Sequence, residues 1–590
     1  MIADVLPLRT LPRGLDFFTY SVPLELEKTL QPGQAIKIPF RSQTLLGVVL
    51  KIRAGQAKNL KPILEIINPI PLLGPDYLDF LERLAKFYGV SMSGLVKSAL
   101  PPLQSLKIAN ETIVEWKSTT RASQTPDYLW YANEDEQRAG YGNYQKERLA
   151  IIVPEVKDIL SVHAALPLNR QAEAILWTSS DSQKNEREHW FAIRNSQAHT
   201  LIATRGALWL PLHQSFDRIV IEYEGDQNHK HWDQSPRFTT RDLAKMHARN
   251  FGLSYTEAGF SPSVSSYFFI QEKRYNLFDK RENKNNNQAK IILPDSGWAA
   301  PIFSPTIQKI ENALETKPGQ DIVLIFNQTK PGKVGICRDC THVIATPLPE
   351  FCPNCGGINL KTIGHTIGTV ANFLKKELDK TDAAIITVDK ETELLDSEKS
   401  RIIIGTWAIL GKITWSKISV AAILDFTRQA LFAEYLTHED LHYRIKQLQF
   451  FLADSAELLI QSETAEHPLL TALSKDQAWY ESQLSERAEL GFPPYSYLVR
   501  YLLPGKDEAG ALKLAQVAVK RLEAGLTQAP KKCIIQGPLP ASAKHQGKAW
   551  AIVMVKLSEP DILTAVSWLN QFFPTTAKID PNPITVTSPH

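Results

Sequence analysis

Residues 1–70 alternate brief apolar runs with Gly, Pro and polar turns, a pattern that predicts a small β domain. Ala35-Ile36-Lys37-Ile38-Pro39-Phe40 partly alternates, and residues 44–50 form a continuous run of the buried-strand type. The period then changes. Tyr77, Leu81, Leu84 and Tyr88 lay one apolar face along a helix, predicted to be capped by Asp76 and ended by Gly89. Leu100-Pro101-Pro102 closes this unit, and the polar, irregular residues 103–125 read as a linker.

From residue 149 the pattern is strand–helix–strand. Apolar runs at 149–154, 174–177, 200–204 and 218–221, with a helix near 155–166, have the unbroken hydrophobicity of parallel strands buried on both faces. The Asn- and Lys-rich stretch 280–288 reads as a loop or hinge. A second set of strands follows at 322–326, 384–388, 401–405 and 420–424. The predicted fold is α/β and multidomain: a β-rich N-terminal domain (1–102), a linker (103–125), two tandem α/β lobes (126–288 and 289–470) and an α+β C-terminal domain (471–590).

Composition changes this picture little. A chain of 590 residues should hold roughly three to five domains, and 43% hydrophobic with 22% charged residues is ordinary for a chain that folds in water. No run of about 18 apolar residues predicts a membrane span. The first residues lack an apolar signal core, so a cytoplasmic protein is expected. Net charge is only +3, but residues 1–110 carry 13 Lys or Arg against 8 Asp or Glu, an excess of +5. The N-terminal domain is therefore the first place to look for a phosphate-binding surface.

Four of the five cysteines fall in two Cys-x-x-Cys pairs, Cys337 with Cys340 and Cys352 with Cys355. Each pair puts two thiolates on one tight turn, and two facing turns close a tetrahedral, structural Cys₄ zinc site. Two disulfides or free thiols are the alternatives, and nothing in the chain signals the oxidising compartment that disulfides would require. Cys533 lies in an apolar strand-like run and reads as core.

Specific strings then point to a family. Phe18-Thr19-Tyr20-Ser21-Val22-Pro23, Ile38-Pro39-Phe40 and Gly47-Val48-Val49 near the start are followed by Val153-Pro154-Glu155, Ala203-Thr204-Arg205-Gly206-Ala207-Leu208 and Pro236-Arg237-Phe238-Thr239-Thr240-Arg241. Gly405-Thr406, Glu466-His467-Pro468-Leu469-Leu470, Glu486-Arg487-Ala488-Glu489-Leu490-Gly491-Phe492-Pro493-Pro494 and Gly537-Pro538-Leu539-Pro540 come later. In this order, and with the cysteine pairs, the chain resembles the PriA family of replication-restart helicases, also called primosomal protein N′. The resemblance implies a 3′ DNA-binding domain followed by two RecA-like lobes of superfamily 2 helicase type, with the zinc ribbon (331–360) inserted in the second. It implies as partners forked or 3′-ended DNA, single-stranded-DNA-binding protein, and components of the primosome and replicative helicase, in a nucleoid-associated setting. Phe18, Thr19, Tyr20, Lys37 and Arg41 become candidate DNA contacts, with Thr19 at the pocket that reads a 3′-terminal nucleotide. For each aromatic alone, a place in the β-domain core is the simpler reading.

Departures from the family concern ATP. A phosphate loop G-x-x-x-x-G-K-[ST] cradles phosphates with backbone amides and a lysine. The slot before residue 149 instead runs from Tyr128 to Tyr144 without Gly-Lys-Thr and carries Glu134, Asp135 and Glu136 in succession. The D-E-E-H motif is Glu222-Tyr223-Glu224-Gly225, where Glu222 retains a carboxylate able to hold Mg²⁺ but the coupling histidine is missing. Ala258-Gly259-Phe260-Ser261-Pro262 stands for G-S-A-T-P, and the arginines expected near 449–454 to grip a γ-phosphate are absent. The expectation is a DNA-binding restart protein with no catalytic residues for ATP hydrolysis; an active 3′-to-5′ helicase is the alternative. The family's second zinc site and its winged-helix module are also missing. His438-Glu439-Asp440-Leu441-His442 matches the H-E-x-x-H pattern of zinc proteases, against which a solvated helix face is the plainer reading.

Overall fold

The computed structural model describes residues 1–590 except 10, 56–58, 102–111, 119–123, 179, 279–287, 295–299, 329–333, 338, 341–342, 346–348, 363, 390, 395–396, 432–433, 474–475, 529–532, 542–546, 559–560 and 589–590. Much of the 103–125 linker and of the 280–288 loop lies outside the described residues. The chain forms two compact units. One comprises Met1–Arg281, Glu434–Leu436 and Ser482–His590; the other comprises Glu282–Ala433 and Thr437–Glu481.

The first unit opens with an antiparallel sheet of β1 (Ile2–Pro7), β2 (Phe18–Ser21), β3 (Ala35–Phe40), β4 (Gln43–Arg53) and β5 (Glu65–Ile66), in the order β2-β1-β4-β3-β5. Ala3, Val5, Tyr20, Ile36, Ile38 and Val49 fill its apolar side. Two helices follow, α1 (Pro75–Tyr88) and α2 (Met92–Ala99). Gly89 ends α1 in the left-handed conformation at φ 59°. Asp76, predicted as the cap, lies instead inside the first turn, because Gly74 caps and Pro75 presets the first helical residue. Its carboxylate accepts from Trp116 Nε1 at 2.7 Å.

Lobe 1 of this unit is a seven-stranded, all-parallel sheet. Its strands are β6 (Asp127–Trp130), β7 (Leu149–Val153), β8 (Ala174–Trp177), β9 (Thr200–Thr204), β10 (Arg218–Glu222), β11 (Ser254–Gly259) and β12 (Asn276–Phe278), ordered β12-β6-β11-β10-β7-β9-β8. Helix α3 (Glu134–Gly142) follows β6. The apolar runs are strands because helices cover both faces, leaving β7 and β10 buried throughout. Tyr77 of α1 donates its hydroxyl to the carbonyls of Trp209 (2.8 Å) and Leu210 (2.9 Å), and Trp190 Nε1 donates to Ala99 O at 2.9 Å.

The C-terminal domain completes the unit. It is an antiparallel sheet ordered Cys533–Pro540, Ala549–Leu557, Tyr497–Gly505, Lys578–Pro581, backed by the helix Glu508–Gly525. One continuous core runs from Leu6, Tyr77 and Leu84 through Ile152, Leu208 and Phe251 to Tyr501, Val553 and Leu569. Asp580 lies fully buried among three cations, Lys230 at 2.7 Å, Arg500 at 2.7 Å and Arg237 at 3.4 Å. The short segment 434–436 also belongs here. Glu434 accepts from Val586 N at 2.8 Å and Thr587 Oγ1 at 2.6 Å, while Tyr435 stacks on Phe492 with centroids 5.0 Å apart.

The second unit is a six-stranded parallel sheet, ordered Lys290–Ile292, Glu457–Gln461, Ile418–Ile423, Asp321–Ile325, Arg401–Gly405, Ala384–Val388. Arg401 and Asp321 pair inside it, with Nε to Oδ1 at 3.0 Å. A separate three-stranded sheet of Val343–Ala345, Val334–Cys337 and Leu360–Thr362 carries the cysteine pairs. The architecture is thus a β-rich N-terminal domain, two parallel α/β lobes, a cysteine-bearing ribbon and an α+β C-terminal domain.

Candidate functional sites

In a nucleotide-binding lobe, the turn after the first strand and the N-terminus of the next helix receive the phosphates. Here β6 leads through Tyr131-Ala132-Asn133 into α3, and the chain occupies that end itself. The Asn133 side chain accepts from Glu136 N at 3.0 Å, and Glu136 Oε2 accepts from Ala132 N at 2.7 Å. Glu134, Asp135 and Glu136 fill the first turn, where the helix dipole favours negative charge and a bound triphosphate would be repelled.

Glu222, at the end of β10, is fully buried. Its Oε1 accepts from the Tyr131 hydroxyl and from Gln137 Nε2 (3.2 Å), and its Oε2 accepts from the Tyr141 hydroxyl. Burial raises its pKa; the tyrosine and Gln137 hydrogen bonds oppose that shift. The sequence left Glu222 open as a Mg²⁺ ligand. The structure corrects this: three donors already point at its two oxygens, and no solvent reaches them. His229 sits behind it, Nε2 donating to the Glu222 carbonyl at 2.8 Å rather than to the carboxylate, with its pKa lowered to about 4 by burial. Glu224 and Glu257 are likewise enclosed. Glu224 accepts from Ser263 N (2.6 Å) and pairs with Arg241 (3.1 Å); Glu257 pairs with Lys245 at 3.0 Å. Tyr131 and Tyr141 are what sequence reasoning missed. Two tyrosines flanking an acidic helix start were the available signal.

The four cysteines come together. Among the described residues they are the one group of three or more His, Cys, Asp or Glu whose ligand atoms could share a metal, all within 4.8 Å of one another. Cys337 and Cys355 sulfurs are 3.6 Å apart, as are those of Cys340 and Cys352. A disulfide needs about 2.05 Å, whereas sulfurs at the corners of a tetrahedron with Zn–S near 2.3 Å lie about 3.8 Å apart. The second knuckle is closed by Cys352 N to Gly357 O (2.8 Å) and Gly356 N to Cys352 O (2.9 Å), with Gly356 at φ 71°. A Cβ on Gly357 would meet Asp339 Oδ2 at 2.2 Å, so any larger residue there would displace the Asp339 side chain. Cys533 is half-buried at the start of its strand.

In the N-terminal domain Thr19 lies on β2 opposite Asp4 of β1 and donates its hydroxyl to Asp4 Oδ1 at 2.8 Å. Arg53 grips the same carboxylate through Nε and Nη2, each at 3.1 Å. Asp4 and Arg53 escaped the sequence reading, although one acid inside the otherwise apolar strand Ile2–Pro7 was a visible signal. Tyr20 is buried with its hydroxyl on Pro39 O at 3.2 Å, and Phe18 meets Phe40 edge-on at 5.3 Å. Lys37 pairs with Glu65 at 2.6 Å on the surface. Arg41 turns the β3–β4 hairpin at φ 54°. Thr19, Lys37 and Arg41 thus reach the surface, while Tyr20 serves the core.

The H-E-x-x-H pair falls on the helix Thr437–Phe451. His438 Nε2 donates to Ala430 O at 3.0 Å; His442 is buried, stacked on Trp479 at 3.8 Å and facing Asp476 at 3.5 Å. Neither joins a cluster of three ligands among the described residues, and His442 acts as packing.

Residues 7–101 match the family model of the PriA 3′ DNA-binding domain. Replication restart protein PriA of Helicobacter pylori (strain J99) is 24% identical over 565 residues, spanning 85% of this chain and 88% of the relative. The protein of the same name from a second H. pylori strain (26695) is also 24% identical, over 564 residues, with 86% and 89% covered. That from Haemophilus influenzae is 23% identical over 504 residues, with 77% and 66% covered.

Proposed function

We propose, from the match of residues 7–101 to the PriA 3′ DNA-binding domain and the similarity to replication restart protein PriA, that this chain is a PriA-family protein that recognises forked or 3′-ended DNA through its N-terminal domain without hydrolysing ATP. In this reading it assembles restart partners on the DNA, namely single-stranded-DNA-binding protein and components of the primosome and replicative helicase. The four cysteines hold one structural zinc ion, whose chemistry is to brace the ribbon. The observation that carries the ATP-free reading is Glu222, with both oxygens taken by Tyr131, Gln137 and Tyr141 beside a helix start already occupied by carboxylates.

The test is titration with a fluorescent ATP analogue and Mg²⁺, paired with an ATPase assay on forked DNA. No saturable nucleotide binding is expected, no turnover above background, and no change on Glu222→Gln. Fork-stimulated hydrolysis abolished by Glu222→Gln would restore the helicase reading.

DNA contact is best tested by point substitution. Deleting residues 1–102 would strip Tyr77, Phe80 and Leu84 from the core shared with lobe 1, so lost binding could not be separated from lost folding. Lys37→Ala and Arg41→Ala are each expected to weaken DNA binding for all sequences and to lower the salt dependence by about one phosphate contact. An unchanged salt slope in the double variant rejects these two residues as contacts.

A further inference from the structure

A cavity of about 620 Å³ opens within the first unit, between the N-terminal domain and lobe 1. Its lobe wall lies where β8 and β9 end, the side of a parallel sheet on which ligands bind. Trp177, the last residue of β8, is half-buried and lines it, as does Gly206 just past β9. Leu8 and Leu46 form the facing wall, tied together by Leu8 N to Leu46 O at 2.9 Å. A Cβ added to Gly206 would meet no atom within 4 Å, so the bare backbone there borders open space. Two opposite charges complete the lining, the exposed Lys97 and the half-buried Glu186.

We infer that this cavity takes one unpaired nucleobase of bound DNA, stacked on the Trp177 indole. The volume is in the range of small-ligand pockets. A purely aliphatic occupant would leave Lys97 and Glu186 without use. A nucleotide uses both, since an exocyclic amine donates to Glu186 and the backbone phosphate meets Lys97. Stacking on an aromatic face is the sequence-tolerant way to hold a base. The inference rests on the DNA-binding reading above and adds to it a site on the lobe side, apart from Thr19.

Binding of forked DNA with a single-stranded arm, scanned with an abasic site along that arm, provides the test. With the wild type, one abasic position should weaken binding about tenfold. Trp177→Ala should weaken intact DNA by a similar factor and show no further loss at that position, whereas Trp177→Phe should keep the wild-type profile. Gly206→Leu adds a side chain whose Cβ has open space around it, and by filling the cavity it should reproduce the Trp177→Ala profile. Affinity indifferent to the abasic site at every position, or Trp177→Ala and Gly206→Leu binding as wild type, would overturn the cavity assignment and leave DNA binding standing. Binding by none of the proteins, wild type included, would overturn both.

Discussion

A zinc chelator is expected to withdraw one metal ion per chain and melt the cysteine-bearing sheet, while the two parallel sheets stay folded. Among the described residues the ribbon has little else to hold it. Its buried cluster is Cys337 and Cys352, with Cys340 and Leu360 beside them, far too small an apolar core to offset chain entropy. Structural zinc sites in small modules contribute roughly 10–16 kcal/mol of apparent free energy at neutral pH, nearly all of it folding energy. Cys352→Ser should therefore act like the chelator. Metal analysis of the purified chain gives the stoichiometry, and hydrogen exchange at Cys352 N and Gly356 N reports the turn they close. Zinc-free protein with those amides still protected would sink the metal assignment.

Asp580→Ala should be the most destabilising single substitution in the first unit. It would leave Lys230, Arg237 and Arg500 buried around a vanished carboxylate, with Asp242 near Lys230 and Asp233 near Arg237 as the remaining opposing charges. Removing one partner of a buried ion pair costs about 3–5 kcal/mol, which corresponds to roughly a 5 °C lower thermal midpoint in a unit of this size. Burial would raise the Asp580 pKa, but Lys230, Arg500 and Arg237 outweigh it and hold it below the ordinary 3.8. A carboxylate with a depressed folded-state pKa stabilises fully above its unfolded value, and that contribution is lost as pH falls through the folded one. The wild type should thus lose stability on acidification below about pH 4, and Asp580→Asn should lack that component. Matching acid limbs for the two would show that the three cations do not depend on Asp580.

Elements whose stability is set locally were legible in the chain. Residues 200–204 and 401–405 stand out as strands because parallel strands buried on both faces cannot alternate, and the structure gives them the same bounds; 174–177 and 384–388 also keep their bounds, at sheet edges where they are only partly buried. The cysteine cluster was legible for a similar reason, since the spacing fixes each knuckle. What failed depended on distant neighbours. Glu222 reads as a metal ligand in one dimension, yet Tyr131 and Tyr141 lie 91 and 81 positions away in sequence and reach it only through the strand order. Asp4 meets Thr19 through the β1–β2 register, and the connection between the strands, residues 8–17, is too long for its Pro12–Leu15 turn to fix that pairing. Asp76 was misplaced by a nearer rival, because Gly74-Pro75 starts the helix before it can cap.

The first unit draws its core from both ends of the polypeptide, and this has a consequence for biosynthesis. On the ribosome, residues 282–481 emerge whole before the helix Ile562–Leu569 and Tyr497 exist to cover the faces of α1 and of the helix Thr240–Phe251 that they meet. At about 10 residues per second, the nascent N-terminal portion waits tens of seconds with those faces open, a window in which chaperone capture rather than intrinsic stability sets the yield of native protein.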